Sequence, residues 1–294
     1  SVIFYMGNTA VSGHTSTLNM TGGTYTGYHR TYIGQGAGNT SIVNISGGDW
    51  TNAKDFVLGE GGTGTANVSN GKLSAAVYMY LGGRDVAGSG SLNISGGTVT
   101  VAYLGAAALV SGGQADIQID GGTLNATSRI YIGDNGTGTV NVAGGTMTTP
   151  EYIYLGGKFN AGDGTLNITD GQVNCAYLSI AGDLTSPAGS AAHVQLDGGV
   201  LEMSSYGAHL GIGTEDGRAG SMDITGGKLI LDLNSTGYIQ DYMDEGLITG
   251  YGDVSNVRYD YNSATGKTTV WAVPEPAMIA ILGLGGLLIR KRIV

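Results

Sequence analysis

Tyrosine recurs at Tyr5, Tyr32, Tyr80, Tyr103, Tyr131, Tyr154 and Tyr177, each between two mostly apolar neighbours, as in Ile130-Tyr131-Ile132. Val57 and His209 hold the same place in two further copies. A phenol combines a flat apolar face with a polar tip, so a row of them can stack on itself, on another subunit or on sugar rings. Two readings stand side by side: cross-coil stacking that stabilises one face, and an exposed contact stripe for a partner.

A second row carries amides: Asn19, Asn44, Asn67, Asn93, Gln118, Asn141, Asn167 and Gln195, ending on Asp223. Stacked amides can hydrogen-bond along the stack, as they do in cross-β assemblies. Asn19, Asn44, Asn67, Asn93 and Asn167 also stand in Asn-x-Ser/Thr, which makes them candidate glycosylation sites. Neither catalysis nor metal binding has a comparable signature. His14, His29, His193 and His209 lack ligand spacing, and Gly61-Gly62-Thr63-Gly64-Thr65 has threonine where a calcium-binding nonapeptide carries an acid. Asp134, Asp163 and Asp183 sit at corners, where turn formation explains them. The basic residues before the tail, from Arg30 to Lys267, read as scattered along the chain. Cys175 stands alone and reads as a small buried hydrophobe. No cofactor, metal or catalytic residue is expected.

The rows exist only if the chain places equivalent residues over one another. Nine times an alternating apolar stretch runs into a glycine pair, whose second member is Gly23, Gly48, Gly71, Gly97, Gly122, Gly145, Gly171, Gly199 or Gly227. Self-similarity at this period marks a stacked-repeat architecture. Each unit holds three short segments. The first alternates apolar and polar residues, as in Leu92-Asn93-Ile94, which describes a strand with one buried face. The second sets one apolar residue between polar ones: Tyr25, Trp50, Leu73, Val99, Leu124, Met147, Val173, Leu201 and Leu229. The third is the tyrosine segment, whose outer residues point in and whose middle residue points out. Three strands per unit joined by Gly, Asn, Asp and Ser corners predict an all-β parallel β-helix over residues 1–230. Nine coils at about 4.8 Å would make a rod of roughly 43 Å.

Composition agrees. Glycine accounts for 55 of 294 residues, yet 41% of the chain is apolar, too much for a disordered linker and without the strict period of collagen. The net charge of −10 offers no basic face, so nucleic acid is not an expected partner.

After Lys228-Leu229-Ile230 the repeat stops, and residues 231–273 read as a cap. Ser235 can start a short helix through Tyr238, Ile239, Tyr242 and Met243, and two strands around Asn262 to Gly266 form a hairpin. That end looks finished. The other looks open: Phe4-Tyr5-Met6-Gly7 begins the chain within a repeat, as expected of an exported protein whose leader has been removed or lies before residue 1.

Residues 274–294 carry Pro274, Glu275 and Pro276, an apolar run from Ala277 to Ile289, and the basic cluster Arg290, Lys291 and Arg292. This segment resembles the PEP-CTERM sorting signal of exported bacterial proteins. The repeats before it resemble autotransporter-like and pectin-lyase-like β-solenoids, a group that includes polysaccharide lyases and hydrolases. The sorting resemblance implies export, handling by an exosortase-type membrane protease, and residence at the cell surface or in extracellular matrix. It implies no catalytic activity. An uncleaved tail would contact the membrane or be shielded by a second copy, and head-to-tail contact between copies builds filaments unless it closes. The expected function is therefore a non-enzymatic surface or matrix protein that assembles with itself. The alternative is a module that lays extracellular polysaccharide along the tyrosine row.

Overall fold

On the first two faces each strand lies level with its copy in the next coil, residue on residue. The computed structural model describes residues 3–8, 11–182, 187–204 and 209–275, and over them the chain winds into a parallel β-solenoid of about nine turns. Along the first face Asn67 pairs with Asn93, Asn93 with Gln118, and Gln118 with Asn141. Along the second, Leu73 pairs with Val99, Val99 with Leu124, and Leu124 with Met147.

The alternation in the sequence becomes an inside and an outside. In the strand Ser89–Ile94, Gly90, Leu92 and Ile94 face in while Ser91 and Asn93 face out. Leu92, Val99, Leu104, Ile117, Leu124 and Ile130 are completely buried, in files one residue wide. Each such side chain contributes about 1.5–3 kcal/mol on leaving water. Trp50 and Phe56 thicken the core near the first coils, with Phe4 edge-on to Trp50 at 5.6 Å.

The glycine pair is required by the stacking itself. Gly97 has φ of +72°, and a Cβ there would stand 2.5 Å from the carbonyl oxygen of Gly71 in the coil before. The corner after the third strand is also left-handed, at Gly82 (φ 82°) and Gly133 (φ 69°), but two coils place alanine there, Ala107 (φ 54°) and Ala181 (φ 58°).

Those alanines correct the expected tyrosine row. Tyr103-Leu104-Gly105 imitates Tyr131-Ile132-Gly133, but the corner that follows the strand is Ala107, two residues further on. The residue level with Tyr80 and Tyr131 is therefore Gly105, not Tyr103. The same two-residue shift sets Ser179 level with Tyr154 and Gly211 level with Ser179, so Tyr177 and His209 also leave the row. Inward packing decides the register, because Leu104 and Ala106, or Leu178 and Ile180, must both enter the core.

The C-terminal end is closed by elements that break the pattern. The helix Thr236–Asp244 follows Ser235, which makes no side-chain capping bond, and Ile239 anchors it in the core. Ile248–Gly250 adds a last parallel rung on Met222 to Ile224. The hairpin of Val257–Asn262 and Lys267–Ala272 forms as expected, and its second strand runs antiparallel along Lys228–Asp232. The outermost strand shows Arg258, Asp260 and Asn262 to solvent, a charged edge that discourages further strand pairing. Pro274 and Glu275 follow the hairpin. Pro276, the apolar run, and Arg290, Lys291 and Arg292 lie outside the described residues. Among the described residues no helix is long and apolar enough to cross a membrane.

Candidate interaction surface

The third strands turn one side chain in three away from the core, and these build the most distinctive surface of the molecule. Instead of one row there are two, side by side. The first holds Tyr5, Tyr32, Val57, Tyr80, Gly105, Tyr131, Tyr154 and Ser179. The second stands two residues upstream: Tyr78 pairs with Tyr103, Tyr152 with Tyr177, and Tyr177 with His209. The sequence reading missed Tyr78 and Tyr152. Their signal was present in Tyr78-Met79-Tyr80 and Tyr152-Ile153-Tyr154, where two tyrosines two apart in a strand share one face.

The rings stack along and across these rows. Tyr5 and Tyr32 lie 5.3 Å apart at 17°, and Tyr131 and Tyr154 lie 5.4 Å apart at 11°. Across the rows, Tyr78 stacks on Tyr80 at 5.0 Å and Tyr152 on Tyr154 at 5.6 Å. The expected exposed stripe is thus largely self-covered. Tyr32, Tyr80 and Tyr154 keep only 6–7% of their surface, whereas Tyr5 keeps 42%. They still point away from the coil interior: Tyr32, Val57 and Tyr80, with Tyr78, form an apolar cluster of their own outside the main core. Burial pushes the phenol pKa of Tyr80 well above the ordinary range, and raises those of Tyr78 and Tyr32.

Cations gather on this face, which corrects their scattered reading in sequence. Arg30, Lys54 and Arg84 line a depression of about 440 Å³ with His29, Tyr78 and Tyr80. The buried carboxylate of Asp55 accepts from Arg30 Nε at 2.9 Å and faces Arg84 Nε at 3.4 Å. That hydrogen bond raises the Arg30 pKa. Further along, Arg129 Nε donates to Glu151 at 2.8 Å, and its guanidinium stands 5.4 Å from the Tyr152 ring centre. Contact with Tyr131, and then with Glu151, raises the Arg129 pKa. Lys158 lies 5.4 Å from the Tyr154 ring centre. A second depression of about 320 Å³ opens over Gly105, between Tyr80, Tyr103, Tyr131 and Phe159.

The carboxylates of this region have structural duties. Glu60 accepts from the backbone N–H groups of Arg84, Asp85 and Val86. Asp134 accepts from those of Lys158, Phe159 and Asn160. Each holds the corner loop of the following coil, a longer-range role than the local turn expected for Asp134. Among the described residues no group of three His, Cys, Asp or Glu is placed to hold a metal ion. Cys175 is buried, and its thiol pKa is pushed up to about 12.

The amide row stands in register as expected. Nδ2 of Asn44 donates to Asn19, Asn67 to Asn44 and Asn93 to Asn67, each at 2.7 Å, and Asn167 donates to Asn141 at 2.8 Å. Gln118 interrupts the run, because its longer side chain donates to Asp120 at 2.6 Å. A glycan would attach at the same Nδ2 that donates in Asn44, Asn67, Asn93 and Asn167, so their modification opposes the ladder. Asn19, exposed at the end of the run, only accepts.

No family model, curated protein or solved structure matches this chain.

Proposed function

We propose that the chain is a non-enzymatic structural protein of the cell surface or extracellular matrix, exported and sorted through its C-terminal segment. The observation that supports this most is the unbroken stack. Backbone pairing runs from coil to coil, reinforced by amide bonding from Asn19 to Asn93, and yields a stiff platform on whose tyrosine face Asp55, Glu60, Asp134 and Glu151 are committed to ion pairs and loop anchoring. Stiffness and repetition suit a scaffold. Acid–base chemistry would instead call for carboxylates left free to face a substrate.

Immunogold electron microscopy of the source cells, with antibody raised against the solenoid, tests this reading. Gold at the surface or in extracellular material supports it, and gold confined to the cytoplasm contradicts it. Self-assembly into filaments remains part of the proposal, through a contact other than strand addition at the C-terminal end, where Arg258 and Asp260 guard the edge.

A second reading draws on the tyrosine face: the scaffold holds polysaccharide along its length. Aromatic rings flanked by paired charges suit sugar rings, which carry apolar C–H faces edged by hydroxyls.

A further inference from the structure

We propose that the break in the tyrosine row at Gly105 is a subsite for one neutral hexopyranose ring of a polysaccharide. The inference rests on the polysaccharide reading above and locates its binding point. Coils rise by about 4.8 Å, and the ring centres of tyrosines level with each other on adjacent coils stand 4.9 to 5.4 Å apart. Gly105 carries no side chain in a row that has Tyr80 on one side and Tyr131 on the other. One rung is therefore missing. The Tyr80 ring leans into part of that place, 3.0 Å from where a Cβ on Gly105 would stand, so a pyranose ring would rest on the Tyr80 face, between Tyr103 and Tyr131.

The gap is a real depression of about 320 Å³, with Phe159 and Leu109 exposed at its rim. That volume is at the lower end for ligand clefts and suits one or two sugar units. Its polar edge selects the ligand. The Tyr103 hydroxyl can donate or accept, and Arg129 has five N–H donors, of which Nε is used on Glu151 and another meets the Tyr131 hydroxyl, leaving further donors for a ligand. Because Glu151 balances Arg129, the site offers hydroxyl recognition without a net cationic pull. That favours a neutral sugar over a uronate. An aromatic side chain from a second copy would fill the walls but leave the rim donors unpaired.

The test is isothermal calorimetry on the full chain with hexaoses of β-1,4-glucan, α-1,4-glucan and β-1,4-mannan, and with hexagalacturonate for comparison. Saturable binding of a neutral hexaose, weakened about tenfold or more by Gly105→Tyr and by Arg129→Gln, with Tyr5→Phe unchanged, supports the subsite. Far-ultraviolet circular dichroism and thermal melting establish that each variant is folded. If Gly105→Tyr fails to fold, Phe159→Ala replaces it, with the same loss expected. No binding by any probe overturns both the polysaccharide reading and the subsite. Binding that survives these variants but is lost in Tyr154→Ala overturns the subsite alone and leaves the face as a binding surface. Binding of hexagalacturonate only overturns the neutral assignment.

Discussion

Tyr80 and Gly105 are paired in register on adjacent coils, and the Tyr80 ring leans over the glycine so that a Cβ there would stand 3.0 Å from its Cδ1. The tyrosine thus spreads into space that a fifth rung would have filled. Its own burial follows from this lean and from stacking on Tyr78, and the floor of the depression is aromatic rather than backbone.

That burial has a pH consequence. The phenols of Tyr80, Tyr78 and Tyr32 have raised pKa values, chiefly because burial penalises the phenolate. The neutral form is favoured in the folded chain, so the stabilisation is fully present below the unfolded tyrosine value of about 10 and is lost as pH rises through the folded values. Thermal melting between pH 8 and 11 should show the midpoint falling above about pH 10. Tyr80→Phe should make that fall shallower.

The amide row predicts unequal effects from equal substitutions. Asn67 donates to Asn44 and accepts from Asn93, so Asn67→Ala loses two bonds and should cost about 1–2 kcal/mol. Asn19→Ala loses one exposed acceptor and should cost under about 0.5 kcal/mol. Gln118→Asn shortens the side chain that breaks the run and should raise the melting temperature. Urea titration of the three variants checks the order.

Crowding and conformation at glycine separate cleanly. Gly97 and Gly112 both have positive φ, but a Cβ on Gly97 meets the Gly71 carbonyl at 2.5 Å while one on Gly112 meets nothing within 4 Å. Gly112→Ala should cost only the left-handed penalty of about 1–2 kcal/mol. Gly97→Ala should exceed about 3 kcal/mol, because a backbone carbonyl in the coil below must also move. Denaturant midpoints compared at constant slope give both values.

Asp134 should matter more than its place at a corner suggests. Asp134→Ala leaves the N–H groups of Phe159 and Asn160 without their carboxylate and should cost about 1–3 kcal/mol. Asp134→Asn retains one acceptor and should cost less than half as much. Amide exchange at residues 158–160 provides a local readout, with faster exchange expected in Asp134→Ala.

Much of this architecture is legible in the chain because period-two alternation and recurrent glycine pairs act at every coil. Leu73, Val99 and Leu124 announce the second face, and Asn67 and Asn93 the amide row, since single conserved geometries leave each residue one place to go. The hairpin around Asn262 is legible from its turn residues. The tyrosine face is not, for a physical reason: the third strand is short, and its corner tolerates alanine in left-handed geometry at Ala107 and Ala181. Tyr103-Leu104-Gly105 therefore offers a false corner two residues early. Only the demand that Leu104 and Ala106 both enter the core resolves it. Pairings such as Arg30 with Asp55, 25 residues apart, likewise emerge only once the coils are stacked.

The register at Gly105 carries the account, and disulfide trapping reads it directly. Tyr78 and Tyr103 are level neighbours on adjacent coils, so their Cα atoms lie within disulfide reach at about 5 Å. Tyr80 and Tyr103 are offset by two residues, which places them at about 8 Å, beyond that reach. In a Cys175→Ser background, Tyr78→Cys with Tyr103→Cys should oxidise readily, and Tyr80→Cys with Tyr103→Cys should remain reduced. Ready oxidation of the second pair and not the first would restore one continuous tyrosine row, close the gap at Gly105 and contradict the account.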